Sequence, residues 1–263
     1  ESSNGDQYNV YRGDESYENT SALSFDGVDD YVSITNNISG SYEAFTISSW
    51  VKVDDYGDAN TGFILDVGRN EDSKRINLGV NANGFKAEIG GVSANVFDVY
   101  APSSNTSNWL HVVLSWSGTD FARIYINGNL AGETTSITSG TLILEPGDSF
   151  NIGTRFSGGS SFQGNIDEVS IWNIALTQEE IQSYMKTLPT GNESNLLGYW
   201  NFEEGGGSTL TDLSGNFNHG VTHGDPSWVT NMLELLEFSF LASASTNSYI
   251  HSDLTNFNEY YYK

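Results

Sequence analysis

Hydrophobic and polar positions alternate along most of this chain, in short runs separated by polar, glycine-rich breaks. A period of two puts successive side chains on opposite faces, so each run reads as a β-strand. Segment 45–53 sets Phe45, Ile47, Ser49, Val51 and Val53 against Thr46, Ser48, Trp50 and Lys52, giving both faces some apolar area. Segment 109–116 sets Leu110, Val112, Leu114 and Trp116 against Val113. Further strands are predicted over 22–25, 31–34, 62–67, 75–80, 84–89, 95–99, 122–126, 142–144, 150–153, 166–171 and 196–202. Asn127-Gly128-Asn129 closes a hairpin after 122–126, because Asn-Gly accepts left-handed backbone. One segment breaks the period. Over 176–185, Leu176, Ile181, Tyr184 and Met185 form an apolar stripe, and Thr177 with Glu180 forms a capping box. It predicts a short helix covering one edge or end of the strands. Pattern alone gives an all-β fold, sandwich or barrel.

Composition narrows the partners. Hydrophobic residues at 37% and aromatics at 13% supply a core and exclude global disorder, while 28 glycines suit frequent tight turns. Thirty-four acidic residues against ten basic ones give a formal charge of -24. A field of that sign repels phosphate backbones and anionic lipid, so no nucleic-acid partner is expected, whereas divalent cations suit it. The absence of cysteine excludes disulfides and thiolate chemistry. No run approaches 18 apolar residues, so no membrane insertion is expected. A start at Glu1, without Met or a charged-then-apolar leader, is expected of a mature or excised fragment of an exported protein.

Five blocks carry a family resemblance. They are Ala22-Leu23-Ser24-Phe25-Asp26-Gly27-Val28-Asp29-Asp30-Tyr31-Val32, Phe45-Thr46-Ile47-Ser48-Ser49-Trp50-Val51, Trp109-Leu110-His111-Val112, Arg123-Ile124-Tyr125-Ile126-Asn127-Gly128, and 164–173 with the helix after it. In this order the blocks resemble the LamG-like jelly-roll domain, a branch of the concanavalin A-like lectin/glucanase sandwiches. The resemblance implies an all-β, two-sheet antiparallel jelly-roll sandwich with one short helix. It also implies a calcium ion near one edge and an extracellular or cell-surface recognition role. The expected organisation is a polar lead-in over 1–20, the LamG-like domain over 21–188, and a β-rich extension over 189–263. A sixth block, 196–204 with 212–220, precedes the Leu-Ser-Phe-Asp-Gly segment in many relatives but follows the helix here. Residues 189–230 therefore either close the same sandwich in permuted order or begin a partial second repeat, which segments 236–240 and 247–252 faintly echo.

Several residues bear on chemistry. Asp26, Asp29 and Asp30 share a glycine-containing turn, and Ca2+ takes six to eight oxygens from carboxylates, carbonyls and water. The resemblance pairs that turn with Asp167. Plain turn capping and solvent exposure are the alternatives. A buried Asp167 needs a cation or backbone donors nearby. Adjacent Asp167 and Glu168 point oppositely on a regular strand and make a poor catalytic pair. No Gly-x-Ser-x-Gly elbow or phosphate loop occurs, and His111, His219, His223 and His251 read as loop or strand-face residues. Candidates for sugar contact are Trp116, Tyr125, Tyr56, Arg69, Arg75, Arg123 and Arg155, an aromatic platform with planar donors. Trp50, Trp109, Trp172 and Trp200 read as core. The expectation is a non-catalytic carbohydrate-binding or adhesion module of a secreted, bacterial surface protein, with a glycan or cell-surface polysaccharide as ligand. A protein-protein module of a surface adhesin and a glycoside hydrolase or polysaccharide lyase are the alternatives.

Overall fold

The computed structural model describes residues 8–35, 37–56, 61–69, 74–90, 96–101, 108–135, 140–155 and 159–244. His251 and segment 247–252 lie outside them. The chain divides into two units, 19–233 and the pair 1–18 with 234–263. In chain order the strands are β1 (Tyr8–Asp26), β2 (Tyr31–Ile34), β3 (Gly40–Tyr42), β4 (Ala44–Asp55), β5 (Thr61–Gly68), β6 (Arg75–Asn81), β7 (Gly84–Gly90), β8 (Val96–Ala101) and β9 (Leu110–Ser117). They continue as β10 (Phe121–Ile126), β11 (Asn129–Thr134), β12 (Leu142–Leu144), β13 (Ser149–Ile152) and β14 (Gln163–Trp172). After the helix α1 (Gln178–Tyr184) come β15 (Leu196–Trp200), β16 (Thr209–Leu210), β17 (Gly220–His223) and β18 (Ser227–Ala244).

Apart from β3 and β12, which pair with each other as a separate two-stranded sheet, the strands build two antiparallel sheets packed as a jelly-roll sandwich. The first runs β11-β10-β9-β4-β14-β1-β18, with β15 also on β14; the second runs β16-β17-β2-β13-β5-β6-β7-β8. Alternation fills the space between them. Phe45, Ile47, Val51, Leu114 and Trp116 from the first sheet meet Val32, Leu65, Val67, Leu78 and Ile152 from the second in one core. The opposite face of the first sheet carries a smaller cluster, where Val113, Tyr125 and Trp172 pack with Leu176 and Ile181 at the helix. The predicted cap is present. Thr177 Oγ1 accepts the Glu180 amide at 3.3 Å and the Glu180 carboxylate accepts the Thr177 amide at 2.8 Å.

Residues 8–20, expected as a loose lead-in, form the first part of β1, and β1 hydrogen-bonds β18. A polar segment takes strand form when a neighbouring backbone satisfies its amides and carbonyls. Residues 196–223 close the one sandwich on both sides. β15 pairs the second half of β14, with Val169 opposite Trp200, and β17 pairs β2, with Val221 opposite Ser33.

The first half of β14 pairs instead with β1, Leu23 standing opposite Ile166. The change of neighbour falls at Asp167 and Glu168, where the register with β4 also shifts and Glu168 takes a φ of 50°. That left-handed residue breaks the regular alternation, and both carboxylates are buried there. Asp167 Oδ1 accepts the Glu168 amide at 2.8 Å and Glu168 Oε2 accepts the Tyr199 hydroxyl at 2.5 Å. The acidic pair is the polar filling of a β-bulge.

Candidate functional site

The turn between β1 and β2 gathers three carboxylates. Asp26, Asp29 and Asp30 each present an oxygen within 4.8 Å of the others. Gly27 at φ 82° permits the tight path, and it packs on Gln163 of β14, the residue opposite Asp26. Asp26 Oδ1 accepts the Val28 amide at 2.8 Å, and Asp30 Oδ2 accepts the Asp26 amide at 2.9 Å. Asp26 and Asp29 face solvent, whereas Asp30 is only 4% exposed and its Oδ1 has no hydrogen-bond partner. Burial is the main cause that pushes the Asp30 carboxyl up to about 6, with the charges of Asp26, Asp29 and Asp225 adding to it. A buried oxygen without a donor, inside a cluster of like charge, fits a hard cation of the calcium type.

Asp167 does not join this cluster. Asp26 stands opposite Gln163, and Asp167 lies four residues farther along β14, about 13 Å at the rise of a strand. Its place in the bulge satisfies it by another route.

Beside the turn, on the face of the second sheet turned away from the core, Tyr31 stacks on His223 with ring centroids 4.5 Å apart and planes 14° from parallel. His223 Nε2 shares a 2.8 Å hydrogen bond with Ser33 Oγ. Both rings are half-buried, and Val221 next to them is 45% exposed. This platform was not among the sequence candidates. β17 is four residues long and opens on glycine, so only its pairing with β2 reveals that His223 and Tyr31 share a face.

The candidates for sugar contact disperse. Trp116 is 1% exposed and lies in the main core, because it shares a strand face with Val112 and Leu114, turned toward the opposite sheet. Tyr125 is 3% exposed and lies in the cluster at the helix. Neither ring can stack on a sugar. Tyr56 packs partly buried against the main core. Arg69 is engaged by Glu145 and Asp148, and Arg123 lies 3.9 Å over the Phe121 ring while bonding Glu133 at 2.6 Å. Arg75 bonds Glu88 at 2.5 Å and stands 3.7 Å from buried Asp66, and the Arg155 guanidinium lies 5.9 Å from the Phe63 ring.

Arg75 belongs to a polar row that register draws across the second sheet: Ser33, Asn151, Asp66, Asn77 and Glu88 stand opposite one another in turn. Burial alone would raise Glu88; hydrogen bonds from Lys86 and Asn77, with the charges of Lys86 and Arg75, outweigh it and hold the carboxyl down to about 2. Asp66 and Asn77 are fully buried, so this row works as an internal network of the sheet.

His111 is buried in the first sheet, with Nε2 2.8 Å from Ser48 Oγ and its ring 5.2 Å from Trp50. Burial pulls its pKa down to about 3, which keeps the imidazole neutral.

Among the described residues no helix is long and apolar enough to cross a membrane. Two relatives, the sushi, von Willebrand factor type A, EGF and pentraxin domain-containing protein 1 of Rattus norvegicus and of Mus musculus, are each 25% identical, over 68% and 73% of this chain. The chain spans 5% of the length of either relative. Among solved structures, a "putative carbohydrate binding protein" from Bacteroides ovatus superposes with a TM-score of 0.63 at 20% identity, over 81% of this chain and 60% of its own. The heptameric SAP-like pentraxin of Limulus polyphemus gives 0.53 at 16% identity, over 88% and 97%. Both share the fold. The family model described as concanavalin A-like lectin/glucanases superfamily matches residues 26–182, more than half of the sequence, and the chain belongs to that family, Laminin_G_3.

Proposed function

We propose that this is a non-catalytic, extracellular carbohydrate-binding module stabilised by calcium at Asp26, Asp29 and Asp30. One observation carries the reading: the acidic turn and the Tyr31–His223 stack occupy the same rim of the second sheet, Tyr31 following Asp30 directly in the chain. A cation there would order the turn and draw electronegative sugar oxygens, while the flat ring pair offers an apolar surface to the C–H face of a pyranose. The carbohydrate-binding protein among the structural neighbours supports the ligand class.

The test is a glycan array probed with the calcium-loaded chain and again in EDTA. Binding to a defined set of glycans, lost in EDTA and lost in His223→Ala with the melting temperature held, is the expected outcome. Binding unchanged by both perturbations overturns the assignment of this rim.

A further inference from the structure

We infer that Asp225, in the corner between β17 and β18, completes the calcium site at Asp26, Asp29 and Asp30, so that the ion fastens the closing segment of the sandwich to its opening turn. The inference rests on the calcium reading above and adds a residue from the far end of the domain. It begins with a deficit. Calcium takes six to eight oxygens, and the cluster within 4.8 Å offers three carboxylates, of which only Asp30 is buried. Asp30 belongs to that cluster, and its buried Oδ1 has no donor of its own.

The β17–β18 corner is the neighbour placed to make up the difference. Gly224 and Asp225 both take left-handed backbone, with φ of 82° and 68°, which turns the chain sharply over the acidic turn. The approach is close. A Cβ at Gly224 would meet the Asp29 carbonyl oxygen and stand 2.8 Å from the Asp30 amide nitrogen, so only glycine fits and the corner is seated on the turn backbone. Asp225 is the next residue, exposed and outside the three-carboxylate cluster itself, one position from the backbone contact that Gly224 makes with Asp29 and Asp30. The three clustered carboxylates and the one at the corner carry like charge, and without a cation between them that repulsion would push the corner off the turn. A divalent ion reverses the sign of that interaction. In a chain without cysteine, such a bridge would tie together the first and last elements of the sandwich.

The experiment uses the full chain stripped with chelator and titrated with calcium chloride by calorimetry, as wild type, Asp225→Asn, Asp30→Asn and Glu179→Gln. Asn tolerates the left-handed backbone at 225, so the first variant removes charge with little change of shape. Wild type takes up one ion, Asp30→Asn loses uptake, Asp225→Asn binds about tenfold more weakly, and Glu179→Gln on the helix is unchanged. Hydrogen exchange read alongside should show amides 222–225 slowing on calcium addition in wild type and not in Asp225→Asn. Uptake by wild type with Asp225→Asn within twofold of it overturns the role of Asp225 and leaves the calcium reading standing. No uptake by wild type overturns both.

Discussion

Replacing Asp212 by alanine should loosen the closing segment more than any exposed substitution there. Asp212 is 5% exposed, in the loop after β16, and its carboxylate accepts three backbone amides. Oδ1 takes Tyr199 at 3.0 Å and Ser214 at 2.9 Å, and Oδ2 takes Asn218 at 2.8 Å. The Tyr199 and Asn218 bonds are buried, whereas the Ser214 amide can turn to water. Two buried donors left unpaired, each costing about 1–3 kcal/mol, give about 3–4 kcal/mol for Asp212→Ala. For a domain of this size that lowers the melting temperature by roughly 10 °C. Asp212→Asn keeps one acceptor oxygen and should cost about half as much. Urea unfolding followed by tryptophan fluorescence reads both, because Trp200 is buried in the same segment and donates to the Asn218 carbonyl at 2.9 Å. An alanine variant that loses less than about 1 kcal/mol would overturn this expectation, since it would mean that those amides find other partners.

Calcium should raise the melting temperature of the chelator-stripped chain, by a free energy of about 2.7 kcal/mol when free ion is about a hundred times Kd; scanning fluorimetry of Asp30→Asn should show no such rise, and Asp167→Asn should keep it. His111 gives an acid-labile step. Its folded pKa of about 3 lies below the unfolded 6.5, so the unfolded chain binds more protons and stability falls as pH drops through 6.5 toward 3. By pH 4.5 that amounts to roughly 2–3 kcal/mol. Asp30, raised to about 6, has the opposite slope below pH 6, so the check is denaturation of wild type against His111→Gln at each pH, with the difference shrinking as pH falls. Thr177→Ala removes the helix cap and should cost about 1 kcal/mol in the same assay, with Thr177→Ser nearly neutral.

Most of the architecture was legible because its period is two. The split of 109–116 into a core face and a lone Val113 matches the two clusters found on either side of β9. Thr177 and Glu180 announced the helix. Shorter strands were not legible: β3, β16 and β17 have two to four residues, too few to show a period, and they are strands because β12, β17 and β2 pair with them. Trp116 stands at the end of its apolar run, where Ser117-Gly118 has the look of an open loop, yet Gly118 bonds the Glu43 and Gly140 backbones in a packed turn. Tyr125 misled differently. It does lie on the face away from the main core, and the helix covers that face.

The two acidic motifs show where sequence reasoning stops. Asp26, Asp29 and Asp30 are neighbours in the chain, so their convergence needed only a glycine turn. Asp167 looked equivalent, an acid in an apolar strand, but its environment is fixed by a change of strand neighbour that no local pattern announces. β14 gives its first half to β1 and its second to β15, and the bulge between them absorbs both Asp167 and Glu168. The same rearrangement delivers Asp225. Since the closing block follows the helix, β17 must reach β2 from the end of the domain, and the corner after it lands on the acidic turn. A carboxylate before proline in a polar stretch carries no signal of its own. Its meaning comes from the path of the chain, which makes one rim out of the beginning and the end of the sandwich.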